Sequence, residues 1–363
     1  MHRRSSPHRE NWAAWVLLQA VKPVTGGGRG GRSARLPRRA MVFAAGRGER
    51  MGPLTRDRAK PALPFCGVPL LTRLLRWLTG GGVSDVVVNL HHHPETLEPL
   101  LASAERAMPG LTIGRSPEPE LLGTSGGLSR AAARFGLGSD AGGPLLVLNG
   151  DTLPTFDLGA MAGFHGAAGA EATLLADPEP GPEFSGERRL ETREDGVITG
   201  LSGPGGPGFG FSGVWLLEPA ALGHLHGGPG GLSQDLLPGL IAAGTARAFP
   251  SRAPWFEIGT PRRYLGASRR ALEAGALPEK RARPAGAAKA RFRGVAGGQW
   301  PELIGEGSVV AEDARVEGSL LLEDVRIGSR AVVRESVVAA SETVPAGARI
   351  EAALFTGGAA MPL

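Results

Sequence analysis

The chain has 363 residues, of which 42% are hydrophobic and 21% are charged, and its formal net charge is +5 at pH 7. This length and composition describe a globular protein large enough for two domains, and they exclude a small module stapled by disulfides or metals. The single cysteine, Cys66, allows neither an internal disulfide nor a paired-cysteine metal or redox site, so we expect a reducing compartment and a cytoplasmic location.

The positive charge is concentrated at the amino terminus. Residues 1–39 hold nine Lys and Arg against one acidic residue, a net charge of +8, so the rest of the chain carries −3. The body is therefore mildly acidic, and with 5% aromatic residues it offers little to nucleic acid. The longest apolar stretch, residues 12–21, is too short to cross a membrane. We predict that residues 1–39 are a disordered extension. Either a misassigned upstream start codon has added them, in which case they are not part of the native protein, or they are a targeting peptide.

Residues 40–273 alternate short apolar runs with helical patterns, which is typical of an α/β domain with a mostly parallel sheet. The predicted strands are residues 41–45, 85–89, 145–149 and 172–175. The predicted helices are residues 70–78, 94–106, 126–135 and 260–273. Residues 274–300 are rich in Ala, Gly, Pro and Arg and are interpreted as a linker.

Residues 301–354 have a different period. Two series of apolar residues are each spaced by six, with a gap of ten between them: Ile304, Val310, Val316, Leu322, and then Val332, Val338, Val344, Ile350. Six-residue spacing is the hexapeptide signature of a parallel β-helix, in which each apolar residue points inward at one corner of a coil. We predict two or three coils that serve packing or oligomerisation; an irregular β-region is the alternative.

The most informative segment, residues 43–64, contains Gly46-x-Gly48, Arg50 and Lys60. A strand that ends in small residues and a glycine pair allows backbone N–H groups to approach an anion closely. The spacing satisfies neither the dinucleotide-binding fingerprint nor the Walker A motif. The two cations beside the glycines instead fit a triphosphate whose α-phosphorus is attacked while pyrophosphate leaves.

Asp151 follows the predicted strand 145–149, at the carboxyl edge of the sheet where α/β proteins bind ligands. A carboxylate beside a triphosphate suits Mg²⁺, which takes one or two protein oxygens and completes its shell with phosphate oxygens and water. An aspartate that caps the following helix is the structural alternative.

Residues 91–93 are three consecutive histidines followed by Pro94 and Glu95. Three adjacent residues at the end of a strand cannot all face one ion, so we interpret them as a loop before a helix rather than a metal site.

Residues 44–64 resemble the signature of the sugar-nucleotide pyrophosphorylases, which are nucleotidyltransferases acting on sugar 1-phosphates. The version Glu49-Arg50-Met51 is similar to two branches, the mannose or heptose 1-phosphate guanylyltransferases and the N-acetylmuramate 1-phosphate uridylyltransferases. Further matching motifs are residues 122–127, 149–151, 211–213 and 255–261.

The resemblance implies a Rossmann-like nucleotidyltransferase domain followed by a short left-handed parallel β-helix. The residues implied around the nucleotide are Ala45, Gly46, Gly48, Leu122, Thr124, Ser125 and Gly126. The implied catalytic residues are Arg50, Lys60 and Asp151, with Gly213 beside the sugar and Asp151 and Glu257 as ligands of Mg²⁺. For Thr124 and Ser125, a plain turn before a helix is the alternative.

The chain departs from the family pattern at two places. Glu257 stands where the family usually has an aspartate, and no lysine occurs between Lys60 and Lys280 to bind the acceptor phosphate. That second role would pass to an arginine, such as Arg188, Arg189 or Arg193.

The resemblance implies an enzyme that joins a nucleoside triphosphate to a sugar 1-phosphate, giving a nucleotide sugar and pyrophosphate. The nucleobase, guanine or uracil, and the sugar stay open, and a homo-oligomer through the C-terminal region is expected. A regulatory homologue that binds nucleotide sugars without turnover is the alternative. An acyltransferase activity of the C-terminal coils is disfavoured, because no histidine follows His226.

Overall fold

The computed structural model describes residues 35–139, 143–277, 291–293, 300 and 303–363. Most of the predicted extension 1–39 and of the predicted linker 274–300 lies outside these residues, so the proposed domain boundaries stay predictions. Within the described ranges, no helix has the length and apolar character needed to span a membrane.

A nine-stranded mixed sheet forms the centre of the amino-terminal domain. Its strands are Arg39–Phe43, Asp85–Leu90, Thr112–Pro117, Leu145–Asn149, Ala172–Asp177, Arg189–Thr192, Ile198–Ser202, Phe209–Leu217 and Ala246–Pro250. The strand Arg39–Phe43 lies between Asp85–Leu90 and Leu145–Asn149 and is parallel to both. The α/β class and the mostly parallel sheet are confirmed.

The first strand begins and ends two residues earlier than predicted. Ala44 already belongs to the following loop, because its N–H donates to Oδ1 of Asn89, at 2.7 Å, rather than to a neighbouring strand. The glycine segment is therefore longer than the sequence indicated and begins directly after Phe43.

Helices cover the sheet and bury their apolar faces against it. The main helices are Leu70–Gly80, Pro94–Ala107, Gly123–Phe135, Leu158–Ala167, Leu237–Ala242 and Pro261–Glu273. In Leu70–Gly80, the side chains of Leu71, Leu74, Leu75 and Leu78 are buried in the core, as the leucine spacing predicted.

The helix Gly123–Phe135 begins three residues before the predicted start at Gly126. Glycine is a poor helix former, which made Gly126 and Gly127 look like a boundary. The structure uses both inside the helix for close packing: a Cβ at Gly126 would lie 2.8 Å from the Gly228 carbonyl oxygen, and one at Gly127 would lie 2.7 Å from a Glu118 carboxylate oxygen. Thr124 and Ser125 consequently lie in the first helical turn.

Residues 303–363 form a short parallel β-helix with three sheets. Their strands include Arg315–Glu317, Val332–Arg334 and Arg349–Glu351 on one side, Val309–Val310, Arg326–Ile327 and Thr343–Val344 on the second, and Leu320–Leu321, Val337–Val338 and Ala353–Thr356 on the third. Arg315 pairs with Val332, and Val332 pairs with Arg349. Each coil therefore takes 17 residues, the separation of the Glu317–Arg334 pair.

This register corrects two inward positions. The buried residues of the coil interior include Val316, Leu321, Ile327, Val333, Val338, Val344, Ile350 and Phe355, which follow one another at repeating spacings of five, six and six. Leu321 and Val333 take the places that the hexapeptide spacing assigned to Leu322 and Val332. The apparent gap of ten arose because one side of each coil is a residue shorter than a strict hexapeptide.

The β-helix and the amino-terminal domain share one apolar cluster. Leu322 and Val337 of the coils pack in this cluster with Met51, Phe256 and Tyr264. Arg58 pairs with Glu323 at 3.0 Å, and Arg269 pairs with Glu335. The coils therefore contact residues 51–66 directly, and that segment carries the part of the signature motif that follows the glycines.

Candidate active site

A cleft of about 270 Å³ opens at the carboxyl ends of the parallel strands. It is lined by Phe43, Ala44, Ala45, Gly46, Lys60, Pro61, Asn89, Leu121, Gly123, Thr124, Asn149 and Asp151. Most of these residues lie at or just after the ends of three neighbouring strands, Arg39–Phe43, Asp85–Leu90 and Leu145–Asn149, or at the start of the helix Gly123–Phe135. Five residues predicted from the sequence lie together here: Ala45, Gly46, Lys60, Thr124 and Asp151.

The glycine loop owes its shape to Thr55. The Thr55 hydroxyl donates to the Gly48 carbonyl oxygen at 3.1 Å, and the Met51 N–H donates to the same oxygen at 2.7 Å. Gly48 has a φ of 68°, a left-handed conformation that side chains disfavour, and a Cβ there would lie 3.0 Å from the Thr55 methyl group. Gly46 has open space around its Cα, so its backbone can be approached by a ligand in the cleft.

Lys60 and Asp151 meet across the cleft. The Lys60 Nζ atom lies 2.9 Å from Oδ2 of Asp151, and the two side chains are 12% and 20% exposed. Lys60 opens a short 3₁₀ turn with Pro61 as its second residue, which stiffens the chain there. A cation and a carboxylate thus face one cavity, with enough solvent access for a ligand to reach both.

Glu257 is brought beside Asp151 by a small antiparallel pair of strands, Trp255–Glu257 and Thr152–Pro154. Glu257 lies opposite Thr152, and the Ile258 N–H donates to the Asp151 carbonyl oxygen at 3.1 Å. Burial raises the pKa of the Glu257 carboxyl group above its usual value, and the negative charge of Asp151 raises it further. The two carboxylates therefore repel each other across a short distance.

Gly259 makes room for the glutamate. A Cβ at Gly259 would overlap Oε1 of Glu257, so the longer side chain folds back over a residue without one. The aspartate-to-glutamate departure from the family pattern is thus accommodated locally.

Arg263 holds the other side of Glu257, and sequence reasoning missed it. Its Nη1 atom lies 2.8 Å from Oε2 of Glu257, and its Nη2 atom lies 2.8 Å from Oε1 of Glu187. The guanidinium group also stacks on the ring of Phe184 at 4.7 Å. Its position in the first turn of the helix Pro261–Glu273, directly after the Gly259-Thr260-Pro261 motif, is the signal that could have identified it.

A second network missed by sequence reasoning joins two walls of the cleft. The Asn89 Nδ2 atom donates to Oε1 of Glu118 at 2.7 Å, and the Leu122 N–H donates to Oε2 of Glu118 at 3.2 Å. Since Asn89 also accepts the Ala44 N–H, the glycine loop is tied to the segment before Gly123. A polar residue at the end of an apolar strand, as Asn89 is, was the available signal.

Comparison with known proteins agrees with this geometry. The family model described as nucleotidyl transferase matches residues 39–186, and the model described as GlmU-like C-terminal hexapeptide matches residues 292–361. These two matches confirm the resemblance to the sugar-nucleotide pyrophosphorylases.

Curated relatives resemble this nucleotidyltransferase over much of its length. A probable mannose-1-phosphate guanylyltransferase 1 of Oryza sativa subsp. japonica is 27% identical over 328 residues, which are 86% of this chain and 89% of the relative. A probable mannose-1-phosphate guanylyltransferase 2 of Arabidopsis thaliana is 30% identical, over 62% of this chain and 63% of the relative. A mannose-1-phosphate guanyltransferase of Schizosaccharomyces pombe is 28% identical over 62% of each chain.

Of the predicted site residues 122–126 of this nucleotidyltransferase, Thr124 lines the cleft, whereas Leu122, Ser125 and Gly126 are not part of its lining. The Ser125 N–H donates to the Gly230 carbonyl oxygen at 3.0 Å, and the Thr124 hydroxyl accepts the Leu232 N–H at 2.9 Å. The Leu122 carbonyl oxygen accepts the Gly230 N–H at 3.0 Å. A glycine-rich segment, residues 227–231, therefore uses polar groups that the family resemblance assigned to the nucleotide, and Gly126 packs against the same segment.

Arg50 and Gly213 lie farther from the cleft lining. The Arg50 side chain is 62% exposed, and its Nη1 atom lies 4.0 Å from Oε1 of Glu187. Gly213 has a φ of 79°, and a Cβ there would overlap the amide of Asn149, which lines the cleft. Glycine at this position thus keeps Asn149 in place, and the predicted roles of both residues stay predictions.

The arginines considered for the acceptor phosphate differ in their surroundings. Arg189 is buried and donates to the Phe184 carbonyl oxygen at 3.2 Å, whereas Arg193 is exposed and lies 3.6 Å from Asp195. Which residue replaces the family lysine stays a prediction.

Proposed function

We propose that the chain is a guanylyltransferase that joins GTP to a sugar 1-phosphate, with mannose 1-phosphate as the preferred acceptor. The observation that carries this proposal is the Lys60–Asp151 pair in the cleft beside the glycine loop, with Glu257 directly behind it. The relatives are named as mannose-1-phosphate guanylyltransferases, and this supports guanine and mannose over the other choices.

In the reaction, an oxygen of the acceptor phosphate attacks the α-phosphorus of the triphosphate in line. The new P–O bond forms as the bond between the α-phosphorus and the bridging oxygen breaks, and pyrophosphate leaves with that electron pair. No covalent bond to the protein is required, because alignment of the two substrates and neutralisation of their charges are sufficient for the direct transfer. The protein's task is to align two anions and to offset their repulsion.

The residues of the cleft divide this task. Lys60 neutralises charge that develops on the phosphate oxygens, since its ammonium group is held in the cleft by Asp151. The open backbone at Gly46 allows phosphate oxygens to approach the loop amides. Arg50, now near Glu187 at the protein surface, can turn toward the outer phosphates of a bound triphosphate.

Asp151 and Glu257 are the residues that would hold Mg²⁺. The donor set fits this ion, because Mg²⁺ prefers carboxylate oxygens. Burial, and then the negative charge of Asp151, raise the pKa of Glu257, and a divalent cation would offset both effects. When bound, the ion supplies charge neutralisation between the phosphates of the two substrates.

A substrate panel tests the proposal. GTP, UTP, ATP and CTP are each combined with the 1-phosphates of mannose, glucose, heptose and N-acetylmuramate, and pyrophosphate release is measured with Mg²⁺ present. The expected result is the highest kcat/KM for GTP with mannose 1-phosphate and no release by Asp151→Asn. A preference for UTP would correct the nucleobase. Nucleotide-induced stabilisation without release from any pair would instead support the inactive binding homologue.

The proposal extends to a cytoplasmic homo-oligomer that associates through the β-helix. The last strand, Ala359–Pro362, is exposed at the edge of its sheet and pairs on one side with Ala353–Thr356. Such an edge presents free backbone N–H and C=O groups to another strand. Light scattering during size exclusion tests this, with an expected mass that is a multiple of the single chain and decreases when Ala360 is replaced by proline.

A further inference from the structure

The three consecutive histidines, residues 91–93, have no part in the mechanism above. Each ring nevertheless binds a backbone carbonyl oxygen. His91 Nδ1 lies 2.8 Å from the Glu118 oxygen, His92 Nε2 lies 3.1 Å from the Thr55 oxygen, and His93 Nε2 lies 2.7 Å from the Arg56 oxygen. Because a carbonyl oxygen only accepts, each of these ring nitrogens must carry a proton and donate it.

The carbonyl groups bound by His92 and His93 belong to the segment that connects the glycine loop to Lys60. Residues 55–59, called here the connecting segment, begin with Thr55, whose hydroxyl shapes the loop at Gly48. They end with Ala59, whose N–H donates to the Thr96 hydroxyl at 3.1 Å. That hydroxyl in turn donates to the His93 carbonyl oxygen at 2.7 Å. The connecting segment is thus held at both ends and in the middle.

The remaining histidine, His91, contacts the opposite wall of the cleft. It binds the backbone of Glu118, whose side chain binds Asn89 and the Leu122 N–H. Residues 91–93 therefore connect the glycine-loop side of the cleft to the segment before Gly123. The distance between these two sides sets the width of the cleft that a triphosphate enters.

His93 differs from its two neighbours because both of its nitrogens face acceptors. Nδ1 lies 2.8 Å from Oε1 of Glu95, opposite the nitrogen that binds Arg56. The other groups facing the ring are Asp57 on the connecting segment and the His92 ring, whose centroid is 4.2 Å away. A neutral imidazole can donate only one proton, so it can satisfy only one of the two acceptors.

We propose that residues 91–93 are positioning residues that hold the connecting segment, and with it the glycine loop and Lys60, in the conformation that binds the triphosphate, and that His93 does this fully only as an imidazolium. This inference rests on the proposed function for its ligand. It assigns residues 91–93 a role in substrate affinity rather than in the chemical step.

The sign of the pH dependence follows from the surroundings of His93. The hydrogen bond to Glu95 raises the pKa of His93 above its usual value of 6.5 and is the largest effect. Burial, the second largest effect, lowers the pKa, whereas the Arg56 carbonyl group and Asp57 raise it, and the net shift is upward. Because the pKa is raised, both contacts of His93 are complete at pH values below the pKa of a free histidine. The contact is then lost as the pH rises through the pKa of the folded protein.

The first experiment measures KM for GTP and kcat between about pH 6 and about pH 8.5 for the full chain. In the wild type, we expect KM to rise about fivefold across this range, as for the loss of one hydrogen bond. The pH profile of kcat should be the same in the wild type and in every variant. Glu95→Gln should move the midpoint of the rise to lower pH, because the main cause of the raised pKa is gone. His93→Asn, which tolerates the left-handed backbone at this position, should give the high KM at every pH.

The matched control is His224→Gln, another histidine that faces a glutamate, Glu171, at 3.8 Å. Its KM profile should coincide with that of the wild type. The pH-dependent ionisation of GTP itself affects every variant equally, so variant-to-wild-type ratios isolate the contribution of His93. Ratios for Glu95→Gln and His93→Asn that stay constant with pH would overturn the proposal.

A second measurement needs no turnover and separates this inference from the proposed function. Hydrogen exchange of the peptide containing residues 55–59 is compared at one fixed pH near neutrality. We expect about fivefold faster exchange in His92→Asn and His93→Asn than in the wild type, with no change in peptides of the β-helix. Unchanged exchange at residues 55–59 would overturn the proposal even in an active enzyme, whereas faster exchange in a chain without turnover would uphold it and reject only the proposed function.

Discussion

At the scale of single residues, charge and room decide what the cleft can do. Lys60 and Asp151 meet because the loops that carry them are both stiff: Pro61 follows the lysine, and Gly150 packs closely against the Phe43 carbonyl oxygen before the aspartate. Glu257 reaches the same place because Gly259 leaves space beside it. Three charged groups are thus held by residues without reactive side chains.

Replacing Lys60 tests the charge. Lys60→Ala should lower kcat by roughly 10² to 10³, the usual effect of removing one charge contact from a transition state. Pyrophosphate release under saturating substrates measures it, and GTP-induced thermal stabilisation reports whether the nucleotide still binds. Arg252→Ala, at an exposed ion pair with Glu179, is the control and should retain full turnover. A Lys60→Ala enzyme with near-normal kcat would exclude this residue from the transition state.

Replacing Gly259 tests whether the space beside it is needed for the position of Glu257. Gly259→Ala places a methyl group against the Glu257 carboxylate, so the side chain must leave its position and turnover should decrease at least about tenfold, the cost of a displaced catalytic group. Gly163→Ala, in the helix Leu158–Ala167 where no atom lies within 4 Å of the added carbon, should be neutral. Equal kcat for both variants would show that the position of Glu257 does not matter.

At the scale of elements, the β-helix shows how one residue of register changes which side chains form a core. The hexapeptide spacing identified the architecture and most inward positions, because its period is close to the true one. It assigned Leu322 and Val332 incorrectly, because one side of each coil has five residues rather than six. Neighbouring residues in a strand point to opposite faces. A shift by one therefore turns Val332 out of the coil and Leu322 toward the apolar cluster shared with the amino-terminal domain.

A pair of adjacent valines tests this register. Val333 is fully buried inside the coil, whereas Val332 is half-buried outside it. Val333→Ala should lower the free energy of unfolding by about 2 kcal/mol, and Val332→Ala by less than about 1 kcal/mol. Chemical denaturation of the two variants measures the difference. The opposite order of the two effects would restore the strict hexapeptide register.

At the scale of the whole molecule, the two domains share a core behind the active-site loop. The apolar cluster that contains Met51 and Phe256 is completed by Leu320, Leu322 and Leu354 of the coils. The Tyr264 hydroxyl, which donates to the Pro64 carbonyl oxygen, is fully buried there, and burial raises its pKa well above the usual value. The β-helix is therefore part of the support of the signature motif.

Leu322 tests that support. Leu322→Ala should destabilise the protein by about 3 kcal/mol, as for a large buried side chain, and should also raise KM for GTP, because Met51 belongs to the same cluster. Val309→Ala on the same β-helix, where the side chain is 54% exposed, should change neither quantity. A Leu322→Ala variant with reduced stability but unchanged KM would show that the coils stabilise the chain without supporting the loop.

The family, the α/β class, the glycine loop with Lys60, and Asp151 at a strand end were all predictable from the sequence, because each is a local pattern whose meaning depends on a few adjacent residues. Local patterns did not predict Arg263, the Asn89–Glu118 network or the helix start at Gly123, because these depend on partners far along the chain. The same holds for the Ser125 N–H, which donates to the Gly230 carbonyl oxygen, and for the Thr124 hydroxyl, which accepts the Leu232 N–H.

The amino-acid sequence by itself determined the chemical groups that this protein can bring to a phosphate: glycines without side chains, one fixed lysine and two acidic residues. Only the tertiary structure decided that these groups share a cleft, that Glu257 folds over Gly259 onto Arg263, and that three histidines join the two walls. The physical reason is that charge and conformational preference belong to each residue, whereas burial, hydrogen-bond partners and distance arise only when separate segments pack together.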